Sequence, residues 1–251
     1  MTDVNESLKN LVERLHEAAK DNLESIILYG SAARDDFQEA HSDLNVLCIL
    51  RSLRTADLGR VSAVVKWWTG TQHQPAPLFF SPAELAQSAD VFAIELLDMQ
   101  QNHRVLYGSD VIAGIKIPMN LHRVQVEHEL RTLLLKLRQH LVREAANPHE
   151  VAAVLAKSSS SALTLLRHTL IAFMEHPPNA VSDLFARIAA VTGADASAFE
   201  AVRRLRQAQR LDTDKVLPVY DDYLSALQKV IAALDHHLPK RQWQRTAKAN
   251  S

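Results

Sequence analysis

The sequence predicts a two-domain protein: an α/β domain over residues 1–117, a helical bundle over 118–238, and a basic tail over 239–251. Three observations predict it. Short apolar runs, closed by glycine or opened by polar residues, alternate with helical periodicity through the first half. Beyond Pro118 the apolar spacing is helical almost without interruption. Within that second half, His176-Pro177-Pro178-Asn179 and Gly193-Ala194-Asp195 read as stops between helices.

The elements follow in order. Leu8, Leu11, Val12, Leu15 and Ala18/Ala19 recur at helical spacing and predict an amphipathic first helix. Residues 24–30, Glu-Ser-Ile-Ile-Leu-Tyr-Gly, form a short apolar run ended by glycine, the first strand. Residues 43–50 are the second strand. Residues 57–69 predict a helix with Leu58, Val61, Val64, Val65 and Trp68 on its apolar face. Trp67 and Trp68 are suited to stacking on a base, but aromatics at helical spacing belong more often to a core. Pro75-Ala76-Pro77 leads into a third strand, Leu78-Phe79-Phe80, and Ser81-Pro82 then supplies a helix cap and a first-turn proline. Residues 91–101 are helical and 104–108 extended up to a turn. Helices are expected over 121–146, 150–175, 180–192, 196–210 and 215–237. Leu155 and Leu163/Leu166 flank the four serines at 158–161 in helical phase, so the serines read as small residues that let helices approach closely.

Composition narrows the function. Of 251 residues, 28 are basic and 29 acidic, for a formal net charge of -1. No overall field draws nucleic acid or an anionic membrane, so general nucleic-acid binding is not expected and any phosphate site must be local. Cys48 is the single cysteine and lies in an apolar run, which excludes an internal disulfide and makes it a small core residue. The polar, acidic N-terminus is unlike a secretory signal, and no apolar run approaches the roughly 18 residues of a membrane span. A cytoplasmic protein is expected. Among twelve histidines no pair shows i, i+4 zinc spacing backed by a third ligand. Arg203, Arg204, Arg206 and Arg210 form a basic run that reads as a solvated face, with contact to an anionic substrate or to the α/β domain as the alternative.

The chemistry concentrates in Tyr29-Gly30-Ser31, a spacer over 32–42, and Asp43-Leu44-Asn45. Nucleotidyl transfer needs in-line attack on an α-phosphate, with two Mg²⁺ ions holding the attacking and leaving oxygens. Acids at i and i+2 on a strand share a face and can hold those ions. A Gly-Ser turn ahead of them lets backbone amides approach a triphosphate, since glycine puts no side chain in the way.

On these residues the chain resembles the polymerase-beta-type nucleotidyltransferase superfamily. Ser31-Ala32-Ala33-Arg34 and Ser42-Asp43 look like its small bacterial members and the aminoglycoside adenylyltransferases, which also append a helical bundle. The resemblance implies a mixed sheet with helices, an α+β/α arrangement, ahead of that bundle. It implies ATP or another nucleoside triphosphate as substrate and Mg²⁺ as cofactor. Gly30, Ser31, Arg34 and Ser42 would then bind nucleotide, and Asp43 and Asn45 would occupy the metal positions, with Asp43 as main ligand. The acceptor is unassigned, either a small-molecule hydroxyl or a protein side chain.

Asn45 stands where the family carries an acid. An amide oxygen can ligate Mg²⁺ but brings no negative charge, and losing a metal-binding carboxylate costs roughly 10³-fold in rate. The family usually takes a third acid from a later strand, and Leu78-Phe79-Phe80 has none. Asp35, Asp36 and Glu39 in the spacer read as solvated loop acids. Glu95 and Asp98 lie in a mostly apolar segment, and Glu95 is the candidate substitute acid, with a salt bridge to Arg104 or Lys116 as the plainer account. Two readings follow. One is an Mg²⁺-dependent nucleotidyltransferase; the other is a catalytically degenerate fold that binds nucleotide or a partner protein, as an antitoxin-like or regulatory module does.

Overall fold

A computed structural model describes residues 4–33, 43–207 and 212–237. Arg34, Ser42, the spacer acids Asp35, Asp36 and Glu39, Arg210 and the expected basic tail lie outside the described residues. The chain divides into two compact units between Leu121 and His122, a few residues beyond the expected boundary.

The first unit runs α1 (Val4–Ala19), β1 (Leu23–Tyr29), β2 (Asn45–Leu50), α2 (Thr55–Gly70), β3 (Leu78–Phe80), α3 (Pro82–Gln87), α4 (Ala93–Gln101) and β4 (His103–Gly108). The strands form one mixed sheet in the order β3-β2-β1-β4. β1 is antiparallel to both β2 and β4, while β2 and β3 are parallel, with α2 as the crossover that a parallel pair requires. The sheet is covered on both faces. Ile26, Leu28, Val46, Cys48 and Leu50 pack with Leu8, Leu11 and Leu15 of α1 and Val61 and Trp68 of α2. Ile27, Leu47 and Ile49 pack on the other side with Leu85, Leu96, Met99 and Ile112. Burial on both faces is why β1 and β2 read as continuous apolar runs rather than alternating ones.

Local signals explain most boundaries. Ser81 caps α3 in a reciprocal capping box with Glu84, with Pro82 in the first turn. α2 begins two residues earlier than its periodicity suggests. Asp57 in its first turn is buried and accepts from Ser52, Arg54 and Arg60, and the Ser52 hydroxyl leads in holding its carboxyl below the usual range. Leu58, expected on the apolar face, is 38% exposed. At 3.6 residues per turn it lies roughly 70° round from the Val61–Trp68 line, outside the buried stripe. Trp68 is fully buried, and the half-buried Trp67 carries the Arg14 guanidinium 4.3 Å over its ring, so both belong to the α1–α2 layer.

The second unit is helical: α5 (His122–Glu144), α6 (Pro148–Ala172), α7 (Val181–Thr192), α8 (Ala196–Gln207) and α9 (Val216–His237). Gly193 ends α7 with φ +71°, the left-handed cap that glycine favours. Ser158 and Ser159 are buried inside α6, and Ser158 donates to the Leu155 carbonyl, as small residues at a close helix contact do. Tyr220 donates to the Leu137 carbonyl at 2.6 Å and ties α9 to α5. Arg203 and Arg204 pair with Glu200 on their own helix, which satisfies much of the basic run internally. Among the described residues no helix is long and apolar enough to cross a membrane.

One core contact has a measurable consequence. His122 and His168 face each other from α5 and α6, Nε2 to Nδ1 at 2.9 Å, with both side chains buried. A single N–H fits between two ring nitrogens, so one imidazole donates and the other accepts. Burial, and then the charge of His168 beside it, pushes His122 down to about 4. An unfolded histidine titrates near 6.5. This contribution is therefore complete above about pH 6.5 and is lost as the pH falls towards 4, by up to about 3 kcal/mol. Urea midpoints at pH 7 and pH 5 should show the loss, and His122→Gln should flatten it; an unchanged slope in that variant would refute the assignment.

Candidate functional site

The motif residues meet at one end of the β1–β2 pair. β1 ends at Tyr29, and Gly30 takes φ +81° to open a single 3-10 turn, Gly30–Ala33. That left-handed value is why glycine stands here, since other L residues adopt it at a cost. Asn45 opens β2 and pairs with Tyr29 in register. A Cβ placed on Gly30 would lie 3.5 Å from the Asn45 side-chain amide nitrogen, so the turn and Asn45 are in direct reach of each other. Asp43, just ahead of β2, is exposed, while Leu44 between them is buried and donates its amide to Gln74 at 2.9 Å. Asp43 and Asn45 thus flank a buried residue at the start of β2.

The Gly30 amide is already used, donating to the Asn102 carbonyl at 3.0 Å. This bond pins the turn to the start of β4. In a 3-10 turn the amide of each residue donates three residues back, so after Gly30 only the Ser31 amide has no partner within the turn and is the donor left for an anion.

Tyr29 is opposite Asn45 on one side and His103 on the other, so the three share a row across the sheet. His103 is held at both ring nitrogens, Nδ1 on the Met99 carbonyl at 2.8 Å and Nε2 on Asp110 at 2.9 Å. Asp110 also accepts from the amides of Ile112 and Ala113, and His103 leads in holding its carboxyl below the usual range. The sequence expectation began the last strand at Arg104, one residue late, and so missed His103. Asn102-His103 directly after a helical run was the available signal.

Glu95, in the first turn of α4, is exposed and lies on this side of the sheet. Burial, and then the charge of Glu95, raises the Tyr29 phenol above its ordinary value. Glu95 makes no ion pair with Arg104 or Lys116 among the described residues. β3 carries no acid, and continuing its parallel register with β2 by two residues puts Ala76 level with Asn45.

The donor set decides which metal chemistry is available. Among the described residues no three His, Cys, Asp or Glu side chains converge where a metal ion could sit. One carboxylate and one amide oxygen do not make a two-metal cage. They do fit a single Mg²⁺, which commonly takes one or two carboxylates and completes its shell with substrate phosphates and water.

Comparison with known proteins gives a likeness in fold. No protein-family model and no curated protein sequence matches the chain. Among solved structures, the chain is similar to the spectinomycin adenyltransferase AAD(9) from Enterococcus faecialis, crystallised with ATP and spectinomycin. The TM-score is 0.56 at 13% sequence identity, over 93% of this chain and 100% of that one. The fold is thus that of a nucleotidyltransferase: a mixed four-stranded sheet with helices, followed by a helical region.

Proposed function

We propose that the protein is a nucleotidyltransferase that binds a nucleoside triphosphate with Mg²⁺ at the Gly30 turn and transfers a nucleoside monophosphate to a hydroxyl of a small-molecule acceptor. The observation that carries this is the seating of the left-handed Gly30 turn against Asn45, with the exposed Asp43 beside it. ATP and a small-molecule acceptor in the adenyltransferase of like fold support the same classes of substrate here.

Each residue has a distinct part. The Ser31 amide holds a phosphate oxygen, and Gly30 keeps that approach free of a side chain. Asp43 supplies the negative charge of the metal site, and Asn45 supplies a neutral oxygen. Mg²⁺ held by these two side chains would offset the negative charge of the triphosphate. The acceptor oxygen forms a bond to the α-phosphorus as the bond to the β-phosphate bridge breaks, releasing pyrophosphate and the hydroxyl proton.

Asn45 favours a second reading, in which the site binds nucleotide without turnover and the chain serves as a regulatory or antitoxin-like module for a partner protein. Calorimetry separates the two. ATP is expected to bind at least about tenfold tighter with Mg²⁺ than with EDTA, and equal affinity in both would sink the metal site. Asn45→Asp restores the second carboxylate and should raise both Mg²⁺ affinity and pyrophosphate release, the latter by roughly 10²-fold or more. If release is absent in the parent and in Asn45→Asp alike, the transfer reading fails and the binding module stands.

A further inference from the structure

The same side of the sheet holds a cavity of about 260 Å³ that the nucleotide chemistry does not use. Leu47, two residues along β2 from Asn45, lines it with Leu78 and Phe80, and Phe92, Leu96 and Met99 close it from α4 and the residue before that helix. An apolar cavity of about 150 Å³ holds benzene. This one therefore has room for an aromatic ring and a short chain. Leu78 and Phe92 remain 41% and 42% exposed, so large apolar surfaces stay open where such a group would sit.

Glu95 is the one charged residue in the lining. It makes no hydrogen bond or ion pair among the described residues, and its field reaches Tyr29 at the neighbouring row. A carboxylate beside an apolar cavity repels anions and offers a cation both charge and hydrogen-bond acceptors. We propose that this cavity binds an amphipathic organic cation, with its aryl or branched alkyl group among Leu47, Phe80 and Leu96 and its protonated amine on the Glu95 carboxylate. Such binding requires neither nucleotide nor metal and is independent of nucleotide transfer.

Three isosteric probes test it on the full chain in metal-free, nucleotide-free buffer: 3-phenylpropylammonium, 3-phenylpropanol and 3-phenylpropionate, each titrated calorimetrically. The ammonium should bind best, about fivefold tighter than the alcohol, as expected of an ion pair at a partly exposed carboxylate. The propionate should bind most weakly. Glu95→Gln, a change at an exposed position, should erase the difference between ammonium and alcohol while leaving alcohol binding intact. Equal binding of all three probes, no binding at millimolar concentration, or a preference for the ammonium that survives Glu95→Gln would each overturn the proposal.

Discussion

Replacing Asp43 by alanine is expected to lower nucleoside monophosphate transfer from labelled ATP by about 10³-fold or more. Asp43 supplies the only formal negative charge of the Asp43-Leu44-Asn45 element, and the amide of Asn45 has no charge with which to compensate. Neither β3 nor Ala76, level with Asn45, offers a carboxylate to take over. Stability should hardly change. Asp43 is exposed and makes no hydrogen bond or ion pair among the described residues, and such surface positions shift stability by about 0.5 kcal/mol or less. Asp43→Asn should behave like the alanine variant in transfer, because it keeps the shape and removes the charge. A thermal midpoint that stays put while transfer disappears assigns the loss to chemistry. Transfer that survives both substitutions would move the active site away from this motif.

The parts of this fold that were legible in the sequence are those set by local physics. β1 and β2 declare themselves because burial on both faces demands unbroken apolar runs. The start of α3 is visible because Ser81 and Pro82 act within one turn as cap and first-turn proline, and the structure adds the reciprocal bond from Glu84. Gly30 is legible as the end of a strand for the same reason, and the structure adds its positive φ. What stayed hidden depends on residues distant in the chain. Neither the Asn102 carbonyl that takes the Gly30 amide nor the His103 that joins the Tyr29 row leaves a mark near residue 30. The His122–His168 contact joins two helices whose individual patterns show no reason for a buried imidazole pair. Leu58 failed because periodicity counts apolar residues without fixing the width of the stripe that is covered. Asn45 was legible as a departure from the acid pattern, and the structure adds its pairing with Tyr29 and its reach to Gly30.

Gly108→Ala is expected to destabilise the first unit by about 3 kcal/mol or more, a larger loss than Gly30→Ala causes. Both glycines have positive φ, +76° at Gly108 and +81° at Gly30, so an alanine at either pays the left-handed penalty of about 1–2 kcal/mol. Their surroundings differ. A Cβ on Gly30 meets only the Asn45 side chain, at an ordinary 3.5 Å. A Cβ on Gly108 would fall 2.0 Å from the Glu24 carbonyl oxygen and 3.1 Å from Ser25 Cα, which are backbone atoms of β1. No rotamer relieves that overlap, so the end of β4 must move away from β1. Moving it breaks the bonds from the buried Ser25 hydroxyl to the Tyr107 and Ser109 carbonyls, at 3.1 and 2.7 Å. A buried hydroxyl left without a partner adds about 1–3 kcal/mol. Urea unfolding of the two variants measures the difference, while ATP calorimetry should show the opposite selectivity, with Gly30→Ala weakening binding beyond its cost in stability. Equal destabilisation by the two substitutions would mean that β4 gives way at Gly108 without loss, and the tight β1–β4 contact there would have to be abandoned.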